Sequence, residues 1–403
     1  MHLSSPASIL LLSALFQTAT STPTSFHLSP NNNISHDYIN WRTFHGRGVN
    51  LGGWLQQEST IDTSWWSTYS GGASDEWNLC AQLGSKCGPV LEHRYKTFIT
   101  TRDIDTLASS GVTVLRIPTS YAAWVRVPGS QLYSGKQKEH IHRIATYAIE
   151  KYDMHIILDI HSLPGGINGL DIGEAVGHWG WYNNDTALKY SLDAVDSALH
   201  FIQFSSGHPQ SYTLSPINEP VDNRDFSTFG TPAALSEAGA SWVLKYLHAV
   251  IDRTKKVNPR IPVMCQGSFK PETYWSPHFD AGANIVFDEH HYYFQYSNST
   301  SANLPEFLCQ DAKKSAGDGK FPTFVGEWAI EASDNDLGLR GQNLQAGISA
   351  FGQFTRGSSY WTAKFSSNAT IKGEGVKGNY WNYEEFVRMG YLDGQVEVPN
   401  YCQ

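Results

Sequence analysis

The 403-residue sequence contains little charge, since Asp, Glu, Lys and Arg together make up 17% of it. Intrinsic disorder requires the opposite balance, with high charge and few apolar residues, so we expect a folded chain. The basic residues form no cluster and the formal net charge is −9, which argues against a nucleic acid partner. Apart from one short run near the N-terminus, no apolar stretch approaches the length of a membrane span.

The N-terminal apolar run, residues 9–16, is too short to cross a bilayer and is typical of the central region of a secretory signal peptide. No Lys or Arg precedes it, which departs from the usual signal peptide pattern. We expect cleavage near residues 19–22, so that residues 1–21 are the signal peptide and residues 22–403 form a single mature domain. The sequence therefore predicts a secreted, extracellular protein with no membrane attachment.

Cysteines are also scarce, and the five present match no zinc-binding spacing, so we expect no metal site. In an oxidising compartment four of them pair and one is left over. Cys80 and Cys87 are close in sequence, are expected to lie in one polar loop, and are predicted to pair locally. Cys265 lies in an apolar, strand-like run and is the candidate free thiol, which leaves Cys309 to pair with Cys402.

Two features of the sequence bear on carbohydrate: sequons to which glycans attach, and aromatic side chains on which bound sugars can stack. Four Asn-x-Ser/Thr sequons, at Asn33, Asn184, Asn298 and Asn368, predict a glycosylated surface if the chain is secreted. The 13 Trp and 20 Tyr residues have two interpretations, a large core or flat faces on which sugar rings stack.

Strand-like and helical patterns alternate along the chain from residue 46 onwards. Helical periodicity is clearest over residues 91–109, 140–151 and 233–257. This alternation predicts a parallel sheet, and eight units in one domain predict a closed (β/α)8 TIM barrel of the α/β class. The predicted strands are 46–54, 112–119, 155–161, 212–219, 262–267, 284–293, 323–328 and 358–365.

The carboxyl-terminal ends of these predicted strands are polar or aromatic, whereas the strand bodies are mostly apolar. In a TIM barrel this end of the sheet carries the active site. Glu219 ends the fourth run and Glu327 ends the seventh, so both carboxyl groups are expected to face one cleft. Two opposed carboxyl groups are the requirement for cleavage of a glycosidic bond, and a separation near 5–5.5 Å is typical of retaining enzymes.

Six short motifs lie at or near the ends of the predicted strands. In chain order they are Arg47-Gly-Val-Asn-Leu-Gly-Gly-Trp54, Leu115-Arg-Ile-Pro118, Leu158-Asp-Ile-His161, Asn218-Glu-Pro220, His290-His-Tyr292 and Gly326-Glu-Trp328. Together they resemble glycoside hydrolase family 5, and in particular its fungal exo-β-1,3-glucanase-like branch. The resemblance extends from Arg47 to about Lys364 and implies a single TIM-barrel catalytic domain.

The resemblance implies a role for each matching residue. Glu219 is expected to be the acid/base, and Glu327 the nucleophile that stays ionised beside the cation of Arg116. The remaining expected substrate-binding residues either orient these carboxylates or contact the sugar. Tyr292 is expected to hydrogen-bond the nucleophile, and His161 and His290 to orient the carboxylates and the sugar hydroxyls. Asn218 is expected to bond the sugar 2-OH, Glu58 and Asp171 to bind the distal hydroxyls, and Trp361 to stack on the sugar ring. No cofactor is implied, and we expect a monomer.

The chain departs from the glucanase pattern after the eighth strand, where Trp-x-Trp-Lys is replaced by Trp361-Thr-Ala363-Lys364. Loss of the second Trp has two interpretations: Trp361 takes over the stacking on the sugar, or the pocket is wide enough for a 6-substituted glucose. The second is favoured, because within family 5 the chain resembles the fungal rutinosidases, which remove 6-O-rhamnosyl-glucose from flavonoid glycosides. The favoured substrate class is therefore flavonoid rutinosides, and the alternative is exo-cleavage of β-1,3-glucan. A non-catalytic carbohydrate-binding protein and a metal-dependent hydrolase are more remote interpretations.

Overall fold

The structure is a computed structural model that describes residues 37–392 and 401–402. The predicted signal peptide, the sequon at Asn33 and the start of the mature chain lie outside these residues. No helix of the described ranges is both long enough and apolar enough to cross a membrane.

Eight parallel strands pair in sequence order and close into a barrel, as the sequence predicts. The closing pair joins the last strand to the first, with Gly46 opposite Gly357. The strands are β1 (Gly46–Asn50), β2 (Val114–Ser120), β3 (His155–Ser162), β4 (Tyr212–Ser215), β5 (Val263–Gln266), β6 (Ile285–His291), β7 (Thr323–Trp328) and β8 (Gly357–Tyr360).

Helices pack around this barrel, and the longest of them follow the strands they connect. In the described part of the chain they are α1 (Thr63–Tyr69), α2 (Glu76–Leu83), α3 (Cys87–Thr97), α4 (Thr101–Ser109), α5 (Gln137–Tyr152), α6 (Asp185–His200), α7 (Glu237–Val257), α8 (Glu272–Trp275), α9 (Leu304–Ser315), α10 (Arg340–Phe354), α11 (Gly378–Trp381) and α12 (Tyr383–Arg388).

Several predicted boundaries are wrong for local reasons. The fourth strand ends at Ser215 because Pro216 has no N–H to donate to the ladder. The helix predicted over residues 91–109 is two helices, since Thr100 and Asp103 form a capping box that starts α4. The first and eighth strands are also shorter than predicted and end at Asn50 and Tyr360.

Both predicted disulfides and the buried free thiol of Cys265 are confirmed. The setting of the first disulfide was predicted wrongly, because Cys80 lies within α2 and Cys87 begins α3 rather than both lying in a loop. Each cysteine of this pair is buried against the helical layer. The second disulfide fastens Cys402 to Cys309 in α9.

The barrel interior is apolar at one end and polar at the other. Successive strand residues point to opposite faces, so every second residue lines the interior. At the amino end of the strands Trp41 closes the barrel, and its indole N–H donates to Thr213 Oγ1 at 2.9 Å. Further along the same faces the residues become charged. The apolar layer consists of Trp41, Val114, Ile157, Met264, Val286 and Phe324.

Candidate active site

Arg116 lies at the centre of the polar end and is fully buried. Its Nη1 donates to Glu327 Oε1 at 2.6 Å and to Asn50 Oδ1 at 3.0 Å, while Nη2 donates to Asn218 Oδ1 at 2.9 Å. Asp159 lies 3.2 Å from Nη2. Burial lowers the pKa of Arg116, but the surrounding carboxylates outweigh burial and raise it, so the guanidinium keeps its charge.

Glu327 is held in its ionised form by its neighbours. The hydroxyl of Tyr292 donates to Glu327 Oε2 at 2.7 Å, on the oxygen that Arg116 leaves unbonded. Burial raises the pKa of this carboxyl, but the charges of His290 and Arg116 outweigh it and the net shift is downward. An ionised carboxylate with two donors in fixed directions is suited to nucleophilic attack.

The end of β7 is shaped so that it presents this carboxylate inward. The register of β7 against β6 shifts between Glu289 and His290, which re-aims the residues that follow. Gly326 donates its N–H to Asp288 Oδ1 at 2.7 Å, and a Cβ at this position would lie 2.1 Å from the same atom. Only glycine therefore allows the close approach that precedes Glu327.

Glu219 follows β4 in an unusual backbone conformation with φ of 44°, which a non-glycine residue rarely adopts. Its N–H donates to Gln266 Oε1 at 3.0 Å, and its carbonyl accepts from Asn168 Nδ2 at 3.3 Å. Gln266 at the end of β5 and Asn168 in the loop after β3 thus hold the strained residue in place. The carboxylate Oε1 lies 2.7 Å from His290 Nδ1.

His290 bridges the two glutamates. Its Nδ1 is 2.7 Å from Glu219 and 3.5 Å from Glu327, and its Nε2 is 3.4 Å from Asp288. Burial lowers the pKa of His290, but the attraction of Glu327 and Asp288 outweighs it and raises the pKa to about 10. The ring is therefore an imidazolium that donates toward both catalytic candidates.

A carboxylate oxygen of Glu219 and one of Glu327 lie within 4.8 Å of each other and of a ring nitrogen of His290. These three atoms are close enough to hold a metal ion. A metal would have to displace the proton of His290 and compete with Arg116, which already contacts Glu327 at 2.6 Å. The cations of Arg116 and His290 thus already balance negative charge at Glu219 and Glu327.

His161 and Trp361 form one wall of the site. His161 Nδ1 lies 2.7 Å from Asp159 Oδ2, and His161 Nε2 lies 3.2 Å from Asn218 Nδ2. When the Nδ1–H of the neutral imidazole donates to Asp159, its Nε2 accepts from Asn218. Trp361 follows β8 and stacks on His161 with the ring centroids 5.7 Å apart and the planes at 18°. This wall is connected to the nucleophile candidate through Asn218, which contacts both His161 and Arg116.

Glu58 and Asp171 lie on two neighbouring loops at the rim. Gln56 joins these loops, because its Nε2 donates to the carbonyl of Ile172 at 2.8 Å. Burial raises the pKa of Glu58 well above its usual range, and the charges of Asp171 and Glu327 raise it further. In the described ranges no group bonds the Glu58 carboxyl, which leaves it available to a ligand.

Sequence reasoning assigned no role to four buried groups of the site. Asp159 and Asp288 precede His161 and His290 by two residues on their strands, so the period of two could have placed them inside the barrel. Asn50 bonds Arg116 and lies at the end of β1. Trp381 follows the barrel in sequence and no motif pointed to it; its ring stacks on Tyr292 with centroids 5.3 Å apart.

Comparison with known proteins agrees with this geometry. The family model for cellulase (glycosyl hydrolase family 5) matches residues 83–367. The chain belongs to glycoside hydrolase family 5. It is therefore a glycosyl hydrolase built on a single TIM barrel.

Three similar proteins illustrate its place in the family. The crystal structure of rutinosidase from Aspergillus niger is 60% identical, with a TM-score of 0.87 over 88% of this chain and 99% of that chain. The crystal structure of AoRut is 63% identical, with a TM-score of 0.87 over 89% of this chain and 99% of that chain. The probable glucan 1,3-beta-glucosidase A of Aspergillus niger is 28% identical over 87% of this chain and 79% of its own length.

Proposed function

We propose that this protein is a secreted, retaining β-glycosidase that cleaves flavonoid rutinosides and releases the disaccharide rutinose. The observation that carries the chemistry is the pair Glu219 and Glu327, whose carboxylate oxygens approach within 4.8 Å across the end of the barrel. Inverting enzymes need about 6.5–9.5 Å between the carboxyl groups to admit a water molecule, so this short distance supports double displacement.

In the first step Glu327 attacks the anomeric carbon while Glu219 gives its proton to the glycosidic oxygen, and the aglycone leaves as an alcohol. Arg116 and Tyr292 hold the attacking carboxylate ionised and oriented. His290 donates to Glu219 Oε1, which leaves the second oxygen of that carboxyl for the leaving group.

In the second step Glu219, now deprotonated, takes a proton from water. The resulting hydroxide attacks the anomeric carbon and releases Glu327 from its ester, so configuration is retained. Asn218 is placed to bond the sugar 2-OH, a contact that strengthens in the transition state. Its amide is held by Arg116 on one side and by His161 on the other.

We assign sugar recognition to the remaining predicted residues. Trp361 offers an aromatic face beside His161, and Glu58 and Asp171 are rim acids placed for the distal hydroxyls. Ala363, where the glucanase pattern has Trp, is itself buried, and its N–H donates to the carbonyl of Asn50 at 2.9 Å. The wider pocket inferred from this residue stays a prediction.

The choice of rutinosides rests on the relatives at 60% and 63% identity, one of which is a rutinosidase. Exo-cleavage of β-1,3-glucan is the second candidate, because two curated relatives at 28% and 30% identity are described as "Probable glucan 1,3-beta-glucosidase A". We also propose that the mature chain is a secreted monomer of residues 22–403 without a metal or cofactor. Exposed sequons at Asn184, Asn298 and Asn368 are consistent with glycosylation.

The test compares rutin with laminarin and analyses the released sugars by mass spectrometry, with and without excess chelator. We expect intact rutinose from rutin, little glucose from laminarin, and no effect of the chelator. Glucose from laminarin with nothing from rutin would favour the exo-glucanase. Loss of activity in the chelator would favour a metal-dependent reaction, and no hydrolysis of either substrate would contradict the proposal.

A further inference from the structure

Trp381, the last residue of α11, is buried beside the site although it lies more than fifty positions beyond Glu327. Its ring stacks on that of Tyr292, with centroids 5.3 Å apart and planes at 23°. Phe365 and Phe294 also contact the indole, at centroid distances of 5.6 and 5.8 Å. The indole is thus enclosed by aromatic rings and fills the space behind Tyr292.

The indole cannot rotate freely, because its N–H donates to a carboxylate oxygen of Glu331. Glu331 is buried and follows β7 by three residues, so it belongs to the segment that carries Glu327. Lys377 lies over the indole at 5.3 Å. Burial raises the pKa of Glu331, whereas the Lys377 charge and the Trp381 bond act in the opposite direction.

Tyr292 needs such support. It follows the last residue of β6, so no strand ladder holds its backbone, and its hydroxyl has one hydrogen-bond partner in the described ranges, Glu327 Oε2 at 2.7 Å. A single hydrogen bond does not fix the rotation of a tyrosine ring about its side-chain bonds. The stacked indole occupies the space into which the ring would otherwise turn.

We propose that Trp381 is a positioning residue for the nucleophile: held by Glu331 and stacked on Tyr292, it keeps the phenol hydroxyl directed at Glu327. The contacts run in one line from Glu331 through Trp381 and Tyr292 to the nucleophile. The inference rests on the proposed role of Glu327. It adds a residue of the C-terminal segment to the catalytic apparatus.

The inference predicts that Trp381 acts only through Tyr292. Without the stack the phenol leaves Glu327, the carboxylate loses a donor, and its pKa rises. Trp381→Leu is therefore expected to move the acid limb of kcat/KM to higher pH and to lower kcat/KM about tenfold. Tyr292→Phe removes the same hydrogen bond directly and is expected to have at least as large an effect.

The experiment is a double-mutant cycle on hydrolysis of rutin and p-nitrophenyl β-D-glucoside, with a full pH profile for each variant. The double variant Trp381→Leu/Tyr292→Phe is expected to match Tyr292→Phe within twofold, because the two changes remove one interaction. Trp381→Phe keeps a stacking ring and is expected to recover most of kcat/KM and the parental acid limb.

Trp242→Leu is the matched control, since this Trp is also buried but lies on α7 in the outer layer. It is expected to lower the melting temperature and leave the acid limb unchanged. Effects of Trp381→Leu and Tyr292→Phe that multiply, or a Trp381→Leu profile like that of the control, would overturn the inference. A parent enzyme without hydrolysis of either substrate would instead overturn the proposed function. If Trp381→Leu fails to fold, Trp381→Met replaces it in the cycle, with Trp381→Phe kept as the stacking control, and an acid limb unchanged in Trp381→Met would contradict the role.

Discussion

Replacement of Arg116 by Lys separates the charge of this residue from its geometry. The guanidinium reaches two different groups with each Nη: Glu327 and Asn50 with Nη1, and Asn218 and Asp159 with Nη2, all within 3.2 Å. An ammonium group carries the same charge at a single point and cannot span these partners. Arg116→Lys therefore keeps the cation but loses the bridge between Glu327 and Asn218.

The magnitude follows from the hydrogen bonds that a lysine at this position cannot make. Lys is expected to keep a bond to one carboxylate and to forgo at least two of the others. Hydrogen bonds to charged groups contribute about 1.5 kcal/mol or more each. Two missing bonds amount to about 3 kcal/mol, which corresponds to a roughly 100-fold decrease in kcat/KM.

The assay is kcat/KM for rutin over a pH series, together with the melting temperature. Because the ammonium of Lys cannot keep the 2.6 Å hydrogen bond to Glu327 together with those to the other partners, the stabilisation of ionised Glu327 weakens and the acid limb is expected to shift to higher pH. Arg356→Lys is the control, since this Arg lies at the amino end of the barrel, where its Nη1 bonds His45 at 2.8 Å. A kcat/KM of Arg116→Lys within threefold of the parent would refute the argument.

Further predictions concern turnover, pH and the disulfides. Glu327→Ala is expected to abolish turnover of rutin with an unchanged circular dichroism spectrum, and activity within tenfold of the parent would contradict the nucleophile assignment. Burial raises the pKa of Glu76 to about 8, so the folded state holds a proton that the unfolded state has lost above about pH 4.5. The free energy of unfolding therefore falls as pH rises from about 4.5 to 8. Glu76→Gln is expected to reduce the difference between the melting temperatures measured at pH 5 and pH 8. An unchanged difference would argue against a buried, protonated Glu76. The Cys309–Cys402 disulfide closes a loop with a sequence separation of 93, so Cys309→Ser is expected to lower the free energy of unfolding by about 4.6 kcal/mol in denaturant unfolding. An unchanged unfolding midpoint would show that this bond does not stabilise the fold.

The barrel could be predicted because eight apolar runs alternate with helical periodicity, and this alternation has few other solutions. The ends of the strands and helices were harder to predict from the sequence. Pro216 ends β4 three residues before Glu219, and the positive φ of Glu219 depends on support from Gln266 and Asn168, which are distant in sequence. Likewise, only the capping box at Thr100 divides the helix predicted over residues 91–109.

The family motifs contain Arg116, Tyr292 and His290, and also Asn50 at the end of β1, to which sequence reasoning gave no role. They did not locate Trp381, because its place beside Tyr292 results from the return of the chain to the barrel mouth after β8. Contacts between segments so far apart in sequence have no local signature. Asp159 and Asp288 are an intermediate case. The strand period could have placed their side chains inside the barrel, but their pairing with Arg116 could be seen only in the closed barrel.

The central claim is that Glu219 and Glu327 act as acid/base and nucleophile in retaining cleavage that releases rutinose. A proton NMR time course of rutin hydrolysis tests it most directly, because it identifies both the sugar and its first anomer. We predict that β-rutinose appears first and that the α-anomer follows only by mutarotation. Initial release of α-rutinose, or of separate rhamnose and glucose, would contradict the account.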